Sequence, residues 1–377
     1  MKKLFLVLLF IPVLAFAEPM YSPTWGFHID LPEGYDYIDG DLKDRFSFSG
    51  PEGLMFDLVV YDGRYNSLLE LANDINRRLS NQGEVDFFQY RDKQAAIISL
   101  VFGDYIGWGL AVELGDRLPS GYTPAKRPVL LALAYGPANK RELEIFNLSA
   151  LDSISPTLAE RRYPGPIMEY SYPRGEASNT LLSNGLSVII RENDAEASQV
   201  LIEREFAIMR AYLNTSYLYD ACIRYYRFIY RDSWDRITNA ASVIANNLGG
   251  FNANTDEQKR AFAQRTLNYV QGFSYERDMS GSDFLNLMTA AIEGRGDCDN
   301  RAMLFAIILA HAGIRGSMML SFHYSHAMGL ADIAGSGARF EALGTHWLVA
   351  ETTANIDIGL IDQELADIRQ WFAIVFE

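Results

Sequence analysis

Between Ala302 and Ala312 the chain reads Ala-Met-Leu-Phe-Ala-Ile-Ile-Leu-Ala-His-Ala, apolar around the whole circumference of a helix except at His311. A helix with no polar face has to be enclosed by the rest of the fold. It falls well short of the roughly 20 apolar residues that cross a membrane, so the stretch specifies a buried helix inside a globular domain. Gly294-Arg-Gly-Asp-Cys298-Asp leads into it and Gly313 supplies a C-terminal stop, a pattern of breakers and caps that sets both ends. Cys298 then falls in the first turn, where unpaired backbone amides and the positive end of the helix dipole favour a thiolate over a thiol. The segment predicts a cysteine placed to react.

The remaining composition bounds the answer. A chain of 377 residues is expected to form two domains, at roughly 150 residues each. Apolar types make up 49% and charged types 21%, which fits folded cores and excludes a disordered or fibrous chain. Asp and Glu number 48 against 33 Lys and Arg, a formal charge of −15. Such a surface repels phosphate backbones and anionic lipid, so nucleic acid is not an expected partner. The opening Lys2-Lys3, the apolar run from Leu4 and the small-x-small Ala15-Phe16-Ala17 have the three parts of a secretory signal peptide over residues 1–17. The apolar run is too short for a membrane anchor, and no later stretch reaches spanning length. The expected mature chain is exported, periplasmic or extracellular, with no membrane span; without two lysines its charge falls from −15 to −17.

Residues 18–157 read as an α+β module. Arg45-Phe-Ser-Phe-Ser and Leu54 to Tyr61 alternate as strands, as does Trp25 to Pro32; Ser67 to Leu79 has helical spacing; Ala95 to Phe102 and Val129 to Tyr135 return to strand character, with Gly and Pro as punctuation. It contains no nucleophile and base pair and no phosphate loop, so docking or scaffolding is its expected role. Residues 158–196, rich in Pro, Gly, Ser and Asn, read as a linker with a hairpin strand at Leu186 to Ile190. From 197 to 377 the pattern turns first helical and then mixed, and Thr255-Asp-Glu-Gln258 has the form of a capping box opening a helix to about Gln271. Cys222 sits inside the long helical pattern, where a small buried hydrophobe is the ordinary reading. One disulfide between the two cysteines is allowed but not required in a chain this large.

A cysteine nucleophile needs a base, and the chain offers His28, His311, His323, His326 and His346. His28 belongs to the first module. His311 lies 13 positions along the cysteine's own helix, about 20 Å away at the helical rise. After the helix, Ser317 to Tyr324 is strand-like, His326 starts a second strand, and Thr345 to Thr353 holds a third that carries Glu351. A base at the start of one strand and a carboxylate at the end of its antiparallel neighbour can meet in space, which suits His326 and Glu351; His323 and His346 are substitute bases.

Gly296-Asp-Cys298-Asp before an apolar helix and Gly313-Ile, then His326-Ala-Met, then Glu351-Thr-Thr, with Leu267 to Asp278 as lead-in, resembles the bacterial transglutaminase-like superfamily over about residues 255–359. The resemblance implies a papain-like fold with the cysteine helix packed on an antiparallel sheet. It implies Cys298 as nucleophile, His326 as base and Glu351 as the acid orienting it, with Glu where many members have Asp. The chemistry expected is attack of a thiolate on a protein or peptide amide carbonyl, with the thioester passing to water in a hydrolase or to an amine in a crosslinker. The Cys298 amide would give one oxyanion donor and Gln271 is a candidate for the second. A non-catalytic binding module on the same fold is the reading from another class. No cofactor is expected; similar bacterial proteases put calcium near acids such as Asp297 and Asp299. Cys298, His323, His326 and His346 lack the tight pair spacing of a zinc site.

Overall fold

The computed structural model describes residues 19–277 and 282–376. The proposed signal peptide and Asp278 of the lead-in lie outside the described residues. The protein is a mixed α+β structure organised by two antiparallel sheets.

The first sheet has seven strands in the order Asp36–Gly40, Arg45–Ser49, Met55–Tyr61, Val129–Pro137, Tyr105–Glu113, Lys93–Phe102 and Val85–Tyr90. Its strands alternate sides, as period-two patterning requires. Ala96, Ile98, Leu100, Ala111 and Leu131 face one way and meet Leu68, Leu71, Ala72 and Ile75 of the helix Leu68–Leu79. Ala95, Ile97, Leu110, Val112 and Leu130 face the other way, against Phe146, Ala150 and Leu151 of the helix Glu144–Asp152. The strand expected over Trp25 to Pro32 shrinks to His28–Ile29, which pairs with Met20–Tyr21 instead of joining the sheet. Gly26, with φ of +81°, bends the chain before it, and Pro32 has no amide to donate after it.

Residues 158–191 follow the first sheet. Ile167 and Met168 of the short helix Pro166–Ser171 are buried, and Ala177–Leu181 pairs with Ser187–Arg191 in the hairpin. The helices Asp194–Ala211 and Leu218–Arg236 then pass against the first sheet's helical layer. Arginines make that contact: Arg224 donates to Glu205 and Ser149 at 2.8 Å each, and Arg231 caps the carbonyls of Asp152, Ile154 and Tyr163 at 2.8 to 2.9 Å. Guanidinium forks suit this because each presents several donors to fixed acceptors.

The second sheet has five strands in the order Arg339–Ala342, Thr345–Ala350, His326–Ala331, Gly316–Ser321 and Phe372–Ile374. The helix Cys298–His311 lies on one face, with Thr238–Asn247 and Asp256–Gln271 on its far side. Leu304 to Leu309 are fully buried, as an all-round apolar helix demands. The helix sits so close that a Cβ at Gly329 would come within 2.6 Å of the Phe305 ring, and one at Gly316 within 2.6 Å of the Ala306 carbonyl. Glycine is what lets helix and sheet meet at those two points. The other face, with Met319, Met328, Leu330, Trp347 and Val349, is covered by Trp371. The capping box at Thr255 and Gln258 forms as expected and the helix it opens ends at Gln271.

Candidate functional site

Asp297 fixes the start of the cysteine helix. Its side chain accepts the Asp299 and Asn300 amides at 3.1 Å each, and the Asn300 side chain returns to the Asp297 amide at 3.1 Å, a reciprocal capping box. Cys298 therefore occupies the first helical position, where its own amide has no acceptor within the helix. The residue is 6% exposed.

His326 opens its strand directly after Ser325, whose φ of +49° makes the tight turn from Ser321. The neighbouring strand runs antiparallel, with Gly329 opposite Ala350. Glu351, one residue beyond, is thereby brought back to His326, and His326 Nε2 lies 2.8 Å from Glu351 Oε2. The other carboxylate oxygen, Oε1, accepts the Thr353 amide at 2.8 Å and the Thr353 hydroxyl at 2.6 Å. Burial pushes the Glu351 carboxyl up, but the hydrogen bonds from His326 and Thr353 outweigh it and hold the group below the ordinary glutamate range. The Trp371 ring stands edge-on to the imidazole, with ring centroids 6.1 Å apart. With Nε2 turned to a carboxylate, the arrangement favours the tautomer that leaves Nδ1 open as a base.

The thiol meets the same place from the other side. The cysteine helix packs on the His326–Ala331 strand, and the Ala327 amide, next in chain to His326, lies near enough to the sulfur to favour the thiolate, though less than burial and the acids oppose it. The side-chain hydrogen bond of the thiol, however, goes to Asp299 Oδ1 at 3.3 Å, and none to His326 forms among the described residues. Tyr226 donates to the other oxygen of that carboxylate. Here the structure corrects the expectation of a helix-start thiolate. Burial, and then the Asp299 and Asp297 carboxylates, push the Cys298 thiol well up. Burial also pushes the Asp297 carboxyl up to about 8 and the Asp299 carboxyl up, so the whole buried cluster favours its protonated forms over the thiolate that one helix end would stabilise.

Arg301, 2% exposed, braces the loops around this centre. Its guanidinium donates to the carbonyls of Gly296 at 3.2 Å, Thr352 at 3.3 Å and Phe273 at 2.8 Å, tying the cysteine entrance to the turn after Glu351. Gln271 is not the second oxyanion donor. Its amide donates to the carbonyls of Glu351 at 2.9 Å, Ala354 at 2.6 Å and Ile356 at 2.9 Å, and so is committed to holding the loop that follows the acid.

The other histidines lie elsewhere. His346, with its side chain 68% exposed, faces Glu341 across the edge hairpin at 3.8 Å. His323 is exposed in the turn before His326. His311 stacks on Trp234 at 4.4 Å, and burial lowers its pKa to about 4. His28 bridges Ser155 beside the first sheet. Cys222 is buried and unbridged, its thiol also pushed up by burial.

The ligand atoms of Asp297, Cys298 and Asp299 lie within 4.8 Å of one another. The set does not suit calcium, which takes six to eight oxygen ligands. Asp297 Oδ1 is taken by two helix amides, both Asp299 oxygens already accept donors, and the third atom is sulfur. Thr353, Tyr226, Trp371 and Arg301 were not singled out from the sequence, and Asp299 was marked only as an acid of the kind found near calcium. Thr353 and Asp299 stand within two residues of a marked position, whereas Tyr226 and Trp371 reach the site through packing that no spacing announces. Compared with protein-family models and with curated proteins, the chain matches none.

Proposed function

We propose that this protein is an exported cysteine hydrolase that cleaves protein or peptide amide bonds, with Cys298 as nucleophile, His326 as base and Glu351 as the acid that orients it. The observation that carries the reading is the 2.8 Å bond from His326 Nε2 to a buried Glu351, beside a cysteine at the first position of a capped helix. The Cys298 proton passes to His326 Nδ1 as sulfur adds to the substrate carbonyl carbon. The negative charge on the carbonyl oxygen is met by the Cys298 amide. The imidazolium then protonates the amine as the carbon–nitrogen bond breaks, leaving a thioester on Cys298. Water, deprotonated by His326, adds to the thioester, and the carboxylic acid leaves with the thiol restored. Glu351 stabilises the imidazolium in both halves.

The likeness of Gly296-Asp-Cys298, His326-Ala-Met and Glu351-Thr-Thr to the transglutaminase-like superfamily supports the same assignment. The bond from the thiol to Asp299 favours a second reading, a binding module that keeps the architecture without turnover. Incubation with a proteome-derived peptide mixture separates the two. A hydrolase produces new peptide termini that vanish in Cys298→Ala. Absence of new termini in folded wild type, with partner capture equal in wild type and Cys298→Ala, would establish the binding module; incorporation of cadaverine into glutamine would establish a crosslinker.

A further inference from the structure

We infer that Asp299 and Tyr226 are positioning residues for the Cys298 thiol: Asp299 holds the S–H away from His326 at rest, and the Tyr226 hydroxyl fixes the carboxylate that does so. The inference rests on the reading of Cys298 as nucleophile, and it adds a resting state from which that nucleophile has to be released.

Three elements build the contact. Asp299 is the second residue of the cysteine helix, held there by the Asp297 cap. Its Oδ1 accepts the thiol at 3.3 Å and its Oδ2 accepts Tyr226, so each oxygen is occupied by one donor from a different element. Tyr226 comes from the helix Leu218–Arg236, is 7% exposed, and is flanked by the rings of Tyr225 at 4.8 Å and Phe284 at 6.2 Å. A phenol wedged in this way cannot follow the carboxylate if it turns, so the carboxylate stays aimed at sulfur.

The charges facing the thiol favour the same state. Its own helix presents Asp297, Asp299 and Arg301; the helix Leu218–Arg236 presents Cys222, Tyr225 and Tyr226; the sheet presents His326 and Glu351; the segment before the cysteine presents Tyr275, Arg277 and Asp283. Arg277 is paired with Asp283 at 3.0 Å, and Arg301 is turned toward three carbonyls. Burial pushes the Asp297 carboxyl up to about 8 and the Asp299 carboxyl up as well; once ionised on the alkaline side they are the acids beside sulfur, and an anion beside a thiol keeps its proton on. For attack the side chain rotates about Cα–Cβ, the S–H bond to Asp299 is exchanged for one to His326 Nδ1, and the proton crosses to the imidazole. Asp299 keeps its bond from Tyr226, so no new charge is left unpaired.

The pH profile of Cys298 alkylation by iodoacetamide, followed by peptide mass mapping on the full chain, tests this without any substrate. The midpoint is independent of how easily the reagent enters. Wild type should titrate above the ordinary thiol value of about 8.5. Asp299→Asn, which keeps the shape and an acceptor oxygen but removes the charge, should move the midpoint down by about one pH unit or more and raise the rate at pH 7 roughly tenfold. Tyr226→Phe should raise the rate at pH 7 by less, because the carboxylate stays but is no longer held. An unchanged midpoint in folded Asp299→Asn overturns the inference. If that variant does not fold, an unchanged rate in Tyr226→Phe overturns it. Because alkylation needs no turnover, a missing shift in an enzyme that still hydrolyses peptides refutes only the resting state, and a clear shift in a protein that never hydrolyses refutes only the hydrolase.

Discussion

Glu351→Gln isolates what the buried carboxylate contributes. At the Thr353 end the substitution is mild, because the glutamine carbonyl can still accept the amide and hydroxyl that Oε1 accepts at 2.8 and 2.6 Å. At the other end it places an NH2 group 2.8 Å from His326 Nε2, donor facing donor. The imidazole must then carry its proton on Nδ1, where a base for the thiol needs a lone pair. The imidazolium formed on attack also loses its counter-charge. Two unit charges centred roughly 4 Å apart interact by about 4 kcal/mol at an effective dielectric near 20. At 1.36 kcal/mol per tenfold, that is a loss in kcat of about a thousandfold. The assay is kcat and KM for a peptide identified by terminus mapping, with thermal melting to confirm the fold. Retention of more than about a third of wild-type kcat by a folded Glu351→Gln would refute the role given to the acid. The same variant has a pH signature in stability. The carboxyl sits lower in the folded protein than in the unfolded chain, so its ionised form favours folding; that contribution is complete above roughly pH 5 and is lost as the pH falls through the folded value. The difference in melting temperature between wild type and Glu351→Gln should therefore narrow on acidification below pH 5.

His326→Ala should abolish peptide cleavage, while His323→Ala and His346→Ala should stay within about twofold of wild type in kcat/KM, because both rings are exposed. Arg301→Met removes a buried cation that holds three carbonyls and should cost about 3 kcal/mol or more in chemical denaturation; a loss under about 1 kcal/mol would mean that the loops do not depend on it. Cys222 should resist iodoacetamide in the native protein and label on unfolding, a sequence that peptide mass mapping reads directly.

Much of the fold near the site was legible because its residues carry local signals. The apolar run after Cys298, the Gly313 stop and the Thr255 capping box each mark a helix end by the chemistry of that end alone. The pairing of His326 with Glu351 was legible because antiparallel register brings the start of one strand to the end of the next. The direction of the Cys298 shift was misread, since the helix end argues for a thiolate and only the folded structure shows how deeply the thiol is buried, with the acids Asp297 and Asp299 beside it adding to the rise. Gln271 was misread for a related reason: its side chain is claimed by three carbonyls of a loop 80 to 85 positions away in sequence. Trp25 to Pro32 has strand patterning, yet a left-handed glycine and a proline leave two residues of it paired. Tyr226 and Trp371 reach the site from elements whose packing angle is a tertiary property.

The most direct test of Cys298-dependent hydrolysis is isotope incorporation. Wild type and Cys298→Ala are incubated with one cleaved peptide in water enriched in oxygen-18, and the new carboxyl terminus is weighed by mass spectrometry. Hydrolysis of a thioester on Cys298 places one heavy oxygen from water in that carboxylate in wild type, with no product from Cys298→Ala. Equal product from both proteins would contradict the account.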